Sequence, residues 1–237
     1  MVTRSPVIVA LDVPNAAEAV ALAESVAPYV GAFKVGLRLL HGPGPGVIAA
    51  VVGVGKPVFA DAKLHDIPTQ VGAAAEALGR YGARWITAHA SGGAAMLEAA
   101  TEGLAKGAGG AAAGVLGVTV LTSLDDNMLR SMGLDRSAGQ LVSSLARVAD
   151  RAGCEGVVCS PKELQVVADV APRLQRVTPG IRPTAGEDDQ ARTATPEEAL
   201  ERGADWIVVG RPITAAADPA AAAAALAELI AGREGPT

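Results

Sequence analysis

The chain has 237 residues, of which 50% are hydrophobic and 19% are charged, a composition that is typical of globular proteins and excludes a disordered one. Its formal net charge of −5 argues against a nucleic-acid-binding surface, and two cysteines are too few for a disulfide framework or a four-cysteine zinc site. Because no apolar run reaches the roughly 18 residues of a membrane span and the first residues do not resemble a signal peptide, we expect a cytoplasmic protein without a membrane segment.

Short apolar segments rich in β-branched residues alternate along the chain with longer alanine-rich segments. The predicted strands are Val7–Val13, Ala32–Gly36, Pro57–Leu64, Arg84–Ala90, Gly114–Thr122, Glu155–Ser160, Arg176–Ile181 and Trp206–Ile213. Because most of these runs are apolar throughout instead of alternating, they indicate parallel strands covered on both faces. Cys154 and Cys159 lie around the sixth run, where small apolar side chains are expected.

Helix-start signals lie between the predicted strands. Asn15, Ser160 and Thr195 each precede a glutamate by three residues, as in a capping box. Asp218 precedes a proline and an alanine-rich segment that runs to about Gly232. Four glycines are predicted to end helices before a strand: Gly31, Gly82, Gly153 and Gly203.

Eight strand–helix units in 237 residues match an α/β protein with a (β/α)8 TIM barrel, for which about 250 residues are typical. The alternative is an open, doubly wound sheet, which would need fewer strands or additional helices. No linker divides the chain, and the tract Gly103–Gly114 is interpreted as a helix–strand connection. The sequence therefore predicts one barrel domain over residues 1–237, with its functional site at the C-terminal ends of the strands.

Charged residues stand near the ends of the first three predicted strands. Asp12 ends the first, Lys34 lies in the second, and Asp61 and Lys63 share one face near the end of the third. A carboxylate beside a lysine favours the ammonium form, so we expect these lysines to donate protons and not to act as nucleophiles. The alternative is an ion-pair network that only ties the strands together, although burying four charges is costly unless the geometry is excellent.

Other polar residues near the third and fourth strands fit local roles. Asp66 directly precedes Ile67 and a proline, so taken alone it is predicted to be a helix N-cap. His41, His65 and His89 show no metal-ligand spacing, and we expect satisfied or solvent-facing side chains. The sequence therefore predicts no metal site.

Two pairs of a glycine and an arginine follow the seventh and eighth strands, where barrels of this type frequently bind phosphate. Gly180 with Arg182, and Gly210 with Arg211, combine a close backbone approach with a fork of donors that matches phosphate oxygens. The alternative is two surface arginines. The polar stretch from Arg182 to Thr195 is long for such a loop and is interpreted as a lid over a bound phosphate, with a disordered loop as the alternative.

Taken together, these segments resemble a known family. The run Asp61–Pro68 is similar to the D-x-K-x-x-D-I signature of the orotidine 5′-phosphate decarboxylases. Further segments that match in order and spacing are Ala10–Asp12, Phe33–Gly36, Leu121–Ser123, Thr178–Arg182, Asp189–Arg192 and Val209–Ile213. The resemblance covers essentially the whole chain, although the signature alone is shared with related barrels that act on sugar phosphates.

The resemblance implies conversion of orotidine 5′-phosphate to UMP and CO₂, the last step of de novo pyrimidine synthesis, with no metal and no organic cofactor. It also implies a homodimer in which each site takes Asp66 and its neighbours from the partner subunit. Lys63 is then the proton donor to C6 of the pyrimidine. Asp61 lies beside the departing carboxylate, and Lys34 links Asp61 to the ribose.

The resemblance also implies the substrate contacts. Asp12 binds a ribose hydroxyl, and Thr122 or its neighbour Ser123 binds the pyrimidine edge. The residues implied to hold the phosphate, the second of them on the lid, are Arg182, Gln190, Gly210 and Arg211. Ile67 and Gln70 belong to the partner-subunit contact. Gln70 stands where the family usually has threonine, and because it can donate and accept hydrogen bonds, we expect activity to be retained.

Two other functions fit parts of this pattern. A magnesium-dependent decarboxylase or aldolase of the same superfamily, acting on a keto-sugar phosphate, would share the Asp-x-Lys-x-x-Asp core. The Gln190 loop and the pair Thr122–Ser123 argue against it. A phosphate-binding barrel without turnover would not need the full set of charged residues that chemistry requires, and that set is present here.

Overall fold

The computed structural model describes residues 5–182 and 194–232. Within them, eight parallel strands are β1 (Val7–Ala10), β2 (Ala32–Val35), β3 (Val58–Leu64), β4 (Trp85–His89), β5 (Gly114–Val118), β6 (Gly156–Val158), β7 (Gln175–Thr178) and β8 (Trp206–Val209). They pair in chain order and close into a barrel through contact between β8 and β1. The predicted (β/α)8 TIM barrel is therefore confirmed, and the open doubly wound sheet is excluded.

The helices of the described residues are α1 (Ala16–Val26), α2 (Leu37–His41), α3 (Gly46–Val52), α4 (Pro68–Arg80), α5 (Ala94–Ala108), α6 (Asp126–Ser131), α7 (Ala138–Arg151), α8 (Leu164–Val170), α9 (Pro196–Glu201), α10 (Arg211–Thr214) and α11 (Pro219–Ala231). Short 3₁₀ turns at Ala27–Tyr29 and Ala90–Gly92 add to them. None of these helices combines the length and the apolar character that a membrane span needs.

Three of the four predicted helix starts are confirmed. The side chains of Asn15, Thr195 and Asp218 each accept a backbone N–H in the first turn of the helix that follows. The prediction that Ser160 begins a helix is wrong. The backbone N–H and the hydroxyl of Ser160 both donate to the Glu163 carboxylate within a turn, and α8 begins only after that turn.

Several strands end earlier than the sequence predicts. The predicted extension of β8 to Ile213 is wrong because Gly210 is the N-cap of α10 and Pro212, which has no N–H for a sheet ladder, lies in its first turn. The predicted extension of β5 to Thr122 is also wrong, since the ladder stops at Val118. The polar residues at these ends therefore lie beyond the ladder, Thr122 in a loop and Arg211 in the first turn of α10.

Strand side chains enter two apolar layers, one inside the barrel and one between the barrel and its helices. The inner layer includes Ile8, Phe59, Leu116, Val177 and Val208. Trp85 and Trp206 meet edge to face at the bottom of that layer, with ring centroids 5.2 Å apart, as expected of packing residues. Cys154 and Cys159 are buried in the outer layer, and burial raises the pKa of each thiol to about 12.

The backbones of α4 and α5 touch. A Cβ at Gly103 would lie 2.2 Å from the Gly72 carbonyl oxygen, and one at Gly107 would lie 2.1 Å from the Glu76 carbonyl oxygen. Helical glycine costs about 1 kcal/mol relative to alanine, yet here only glycine permits the close approach. The prediction that Gly103–Gly114 is a connection is therefore wrong for its first half, because α5 continues to Ala108.

Candidate active site

A cavity of about 660 Å³ opens at the C-terminal ends of the strands. It brings together nine of the candidate site residues that the sequence singles out, which are Asp12, Lys34, Asp61, Lys63, Thr122, Gly180, Arg182, Gly210 and Arg211. Gln190 and most of the predicted lid lie outside the described residues. Asp66, Ile67 and Gln70 do not line this cavity.

Four charged side chains in or just after the first three strands form a connected network on one side of the cavity. Lys63 Nζ lies 2.6 Å from Asp61 Oδ1. Lys34 Nζ lies 3.5 Å from Asp61 Oδ2 and 3.4 Å from Asp12 Oδ1. Acids and lysines therefore alternate along the network, so that each ammonium group has a carboxylate beside it.

Lys34 and Asp61 are the most enclosed members of the network, with 12% and 13% of their side chains exposed. Asp61 has two ammonium groups beside it. Burial opposes its ionisation, but the charges of Lys34 and Lys63 and the hydrogen bonds from Lys63 and Thr87 outweigh that effect and lower its pKa. Asp61 is therefore an ionised carboxylate held between two cations at neutral pH.

The third strand carries a bulge at the point where these charges are concentrated. Ala60 pairs with Ile86 and Leu64 pairs with Ala88, so three residues of β3 face a single residue of β4. Lys63, in this bulge, has φ of 49°, a left-handed conformation that non-glycine residues seldom adopt. Bulges redirect side chains and occur frequently beside active sites. Here the bulge lets Asp61 and Lys63 both line the cavity.

Two residues of the site were not identified from the sequence. Thr87 of β4 is fully buried and hydrogen-bonds to both Asp61 and Lys63. Arg38 of α2 lines the cavity, and its Nη1 donates to the Asp12 carbonyl oxygen at 3.3 Å. The one signal available for Arg38 is its position four residues after Lys34, and a threonine in a strand carries no signal beyond strand propensity.

Positive charge also lies where β7 and β8 end. Arg182 and Arg211 line the cavity, and Gly210 lies directly before Arg211 at its wall. The Arg182 backbone N–H donates to the Ala194 carbonyl oxygen at 3.0 Å, which fixes the chain after β7. Guanidinium groups and a glycine backbone at one wall are suited to an anion such as phosphate.

The segment after β3 is exposed. Residues 65–70 are all solvent-accessible, and Ile67 is 63% exposed. The prediction that Asp66 is a helix N-cap is wrong, because Ile67 is the N-cap residue of α4 and no side chain accepts a hydrogen bond from the first turn of that helix. Asp66 Oδ1 accepts instead from the adjacent Ile67 N–H at 2.6 Å. A carboxylate, a large apolar side chain and Gln70 thus lie on the surface directly after the strand that carries Asp61 and Lys63.

His65 and His89 lie next to each other, with ring centroids 5.3 Å apart, a contact that their sequence positions did not indicate. Burial lowers the pKa of His89, and the nearby positive charges of His65 and Lys63 lower it further. Among the residues that the structure describes, no group of three or more His, Cys, Asp or Glu side chains is placed to hold a metal ion.

Comparisons with known proteins agree on one family. Residues 5–226 match the model of the Orotidine 5′-phosphate decarboxylase / HUMPS family. The orotidine 5′-phosphate decarboxylase of Anaeromyxobacter sp. (strain K) is 50% identical over 220 residues, which cover 92% of this chain and 95% of that protein. That of Paramagnetospirillum magneticum is 49% identical over 224 residues, again 92% of this chain and 95% of the relative.

A solved structure gives the same result. The crystal structure of orotidine 5′-phosphate decarboxylase from Lactobacillus acidophilus matches with a TM-score of 0.82 and 39% sequence identity, over 94% of this chain and 97% of that one. The similarity in fold and in sequence thus extends over nearly the full length of both chains. The chain therefore belongs to the orotidine 5′-phosphate decarboxylase / HUMPS family, as the resemblance of its motifs predicts.

Proposed function

We propose that this protein converts orotidine 5′-phosphate to UMP and CO₂, the last step of de novo pyrimidine synthesis, without a metal or an organic cofactor. The observation that carries the proposal is the enclosed Lys34–Asp61–Lys63 network at the mouth of the barrel, in a chain of this family. Two relatives named orotidine 5′-phosphate decarboxylase match this chain over 95% of their own length.

In the proposed reaction the bond between C6 and the substrate carboxylate breaks, and its electron pair stays on C6. A positioned ammonium group stabilises this charge more in the transition state than in the substrate, which is the condition for catalysis. Lys63 is that group. It then donates its proton to C6, completing UMP, and regains a proton from water.

The other members of the network set the electrostatics of the reaction. Asp61, ionised because its pKa is lowered, lies beside the departing carboxylate. Their repulsion eases as neutral CO₂ forms. Lys34 bridges Asp61 and Asp12, at 3.5 and 3.4 Å, and so links the reacting end to the ribose, a hydroxyl of which Asp12 binds.

The remaining contacts bind parts of the substrate that are distant from C6. Thr122 binds the pyrimidine edge, and the phosphate is bound by Arg182, Gln190, Gly210 and Arg211. Binding energy from these remote groups orients the reacting end and contributes to catalysis in that way.

We further propose that the enzyme is a homodimer in which Asp66, Ile67 and Gln70 complete the site of the partner subunit. The support is the exposure of residues 65–70 directly after the strand that carries Asp61 and Lys63. In the proposed dimer, the partner subunit would bury Ile67, which is 63% exposed here.

The test is the absorbance change on adding orotidine 5′-phosphate to purified protein, with and without EDTA. We expect turnover that EDTA leaves unchanged. Loss of turnover on chelation, or turnover only with keto-sugar phosphates and magnesium, would favour the related magnesium-dependent decarboxylase or aldolase instead.

The Lys63→Ala variant separates an enzyme from a phosphate-binding barrel. We expect its kcat to fall by at least about 100-fold, since general acid catalysis contributes that much or more. UMP binding should be retained, because the phosphate contacts are intact. The matched control is Lys106→Ala, which removes an exposed ion pair with Glu76 on the outside of the barrel. It should leave kcat unchanged.

A further inference from the structure

Thr87 connects the two ends of the charged bulge in β3. The Lys63 backbone N–H donates to Thr87 Oγ1 at 2.9 Å, and Thr87 Oγ1 donates to Asp61 Oδ1 at 2.9 Å. A hydroxyl has one proton, and because its oxygen accepts from Lys63, that proton is available for the carboxylate. Thr87 has no exposed surface and does not line the cavity, so it touches Asp61 and Lys63 without being open to a ligand.

The bulge explains why a side chain is needed at this place. In a regular parallel pair the Lys63 N–H would donate to a carbonyl of the neighbouring strand. The bulge moves this N–H out of the ladder, and the Thr87 hydroxyl takes the place of the missing acceptor. It also holds the left-handed backbone of Lys63, a conformation that persists only where its surroundings fix it.

The same hydroxyl fixes the orientation of the Asp61 carboxylate. Oδ1 accepts from both Lys63 Nζ, at 2.6 Å, and Thr87, whereas Oδ2 is the oxygen that lies near Lys34 at 3.5 Å. Each lysine therefore faces a defined oxygen. Without the Thr87 hydroxyl, the Asp61 carboxylate could rotate about its χ2 torsion. The backbone N–H of Lys63 would also lose its hydrogen-bond acceptor.

We propose that Thr87 is a positioning residue for the reaction, holding the Asp61 carboxylate and the Lys63 backbone in one arrangement so that the ammonium group and the carboxylate reach their working positions together. This inference rests on the proposed decarboxylase function, and Thr87 does not itself contact the substrate.

The test compares two substitutions at this position. Thr87→Val keeps the shape and removes the hydroxyl, and we expect kcat to fall by about 100-fold, the loss that a small misplacement of reacting groups causes. The affinity for UMP should stay close to that of the wild type, because the phosphate wall is untouched. Thr87→Ser restores the hydroxyl and should recover most of the kcat.

The matched control is Thr119→Val. Thr119 is 5% exposed at the end of β5, and its hydroxyl donates to the Val158 carbonyl oxygen at 2.9 Å, outside the charge network. A wild-type kcat in Thr87→Val, or equal losses in Thr87→Val and Thr119→Val, would overturn the inference. If Thr87→Val does not fold, Thr87→Ala gives the same comparison against Thr87→Ser. Failure of the wild type to turn over orotidine 5′-phosphate would instead overturn the proposed function.

Discussion

Arg84 and Glu155 form a two-point ion pair across the bottom of the barrel, with Nη1 and Nη2 donating to the two carboxylate oxygens at 2.7 and 2.6 Å. Trp85 Nε1 donates to the same carboxylate at 2.9 Å. The pair spans β5, where a Cβ at Gly114 would lie 2.0 Å from Glu155 Oε2, so glycine there leaves room for the carboxylate. This contact joins β4 to β6 at the end opposite the candidate active site.

Glu155→Gln is expected to lower the free energy of unfolding at neutral pH by about 2 kcal/mol, because hydrogen bonds to a charged group are the stronger ones. Burial opposes ionisation, yet the hydrogen bonds from Arg84 and Trp85 and the charge of Arg84 lower the pKa of Glu155. A lowered folded-state pKa stabilises the protein above the unfolded pKa, and that stability is lost as the pH falls through the folded value. The difference in free energy of unfolding between wild type and variant should therefore be largest at neutral pH and become smaller below about pH 4.

Urea unfolding at several pH values measures this difference. The matched control is Asp150→Asn, which removes a similar pair with Arg173, whose side chain is 78% exposed. Exposed pairs contribute at most about 1 kcal/mol, so its effect should be smaller. Equal losses in the two variants, or a Glu155→Gln difference that does not change with pH, would contradict the prediction.

Mixing two impaired variants tests the proposed sharing of the site between subunits. Lys63→Ala and Asp66→Asn should each be impaired as homodimers. In a mixed dimer one site has both substitutions and the other has neither, so equal mixing with subunit exchange should give about a quarter of wild-type activity. Activity after mixing is measured with orotidine 5′-phosphate.

The control for that experiment pairs Lys63→Ala with Asp61→Asn. Both residues come from the same subunit in each site, so every site of that mixed dimer keeps one defect and no activity should return. Mixed Lys63→Ala and Asp66→Asn dimers that stay inactive would show that Asp66 does not act across the interface.

Arg211→Ala should weaken UMP binding by about 30-fold, because a lost charged hydrogen-bonding partner costs about 2 kcal/mol or more. Uridine, which has no phosphate, should bind the wild type and the variant equally. Calorimetric titration with both ligands distinguishes a phosphate contact from a general defect. Arg151→Ala on α7 serves as the control and should change neither affinity. A parallel loss for UMP and uridine would show that Arg211 does not contact the phosphate.

Gly103→Ala should destabilise the protein by about 1–3 kcal/mol, as expected of a methyl group forced against backbone. The atom it would meet, the Gly72 carbonyl oxygen, belongs to α4 and cannot move aside without the helix. Gly139→Ala is the control. Gly139 also lies in a helix, but a Cβ there meets no atom within 4 Å, so the substitution should be neutral or stabilising. Equal effects in denaturant unfolding would contradict the expected clash.

The barrel could be predicted because most of the strands are apolar runs that stand out from their neighbours, although β7 has the sequence QRVT. Strand ends were less predictable, since Thr122 follows such a run with no breaker before it and only the pairing stops at Val118. The residues of the charge network were recognisable because acids and lysines are unusual in apolar strands. Thr87 was not, because its role depends on a bulge in another strand, which only the register between β3 and β4 reveals.

The glycine contact between α4 and α5 bears on how the proposed dimer would assemble. Because backbone meets backbone at Gly72 and Gly103, no side chain lies between the helices at that contact to let α4 shift. Asp66 and Ile67 directly precede α4, so the segment that would contact a partner in the proposed dimer is attached to a fixed helix. Little conformational entropy is then left to lose on association, and more of the interface energy can appear as affinity. In the proposed dimer, each subunit would therefore contribute a half of the site that is already ordered before association.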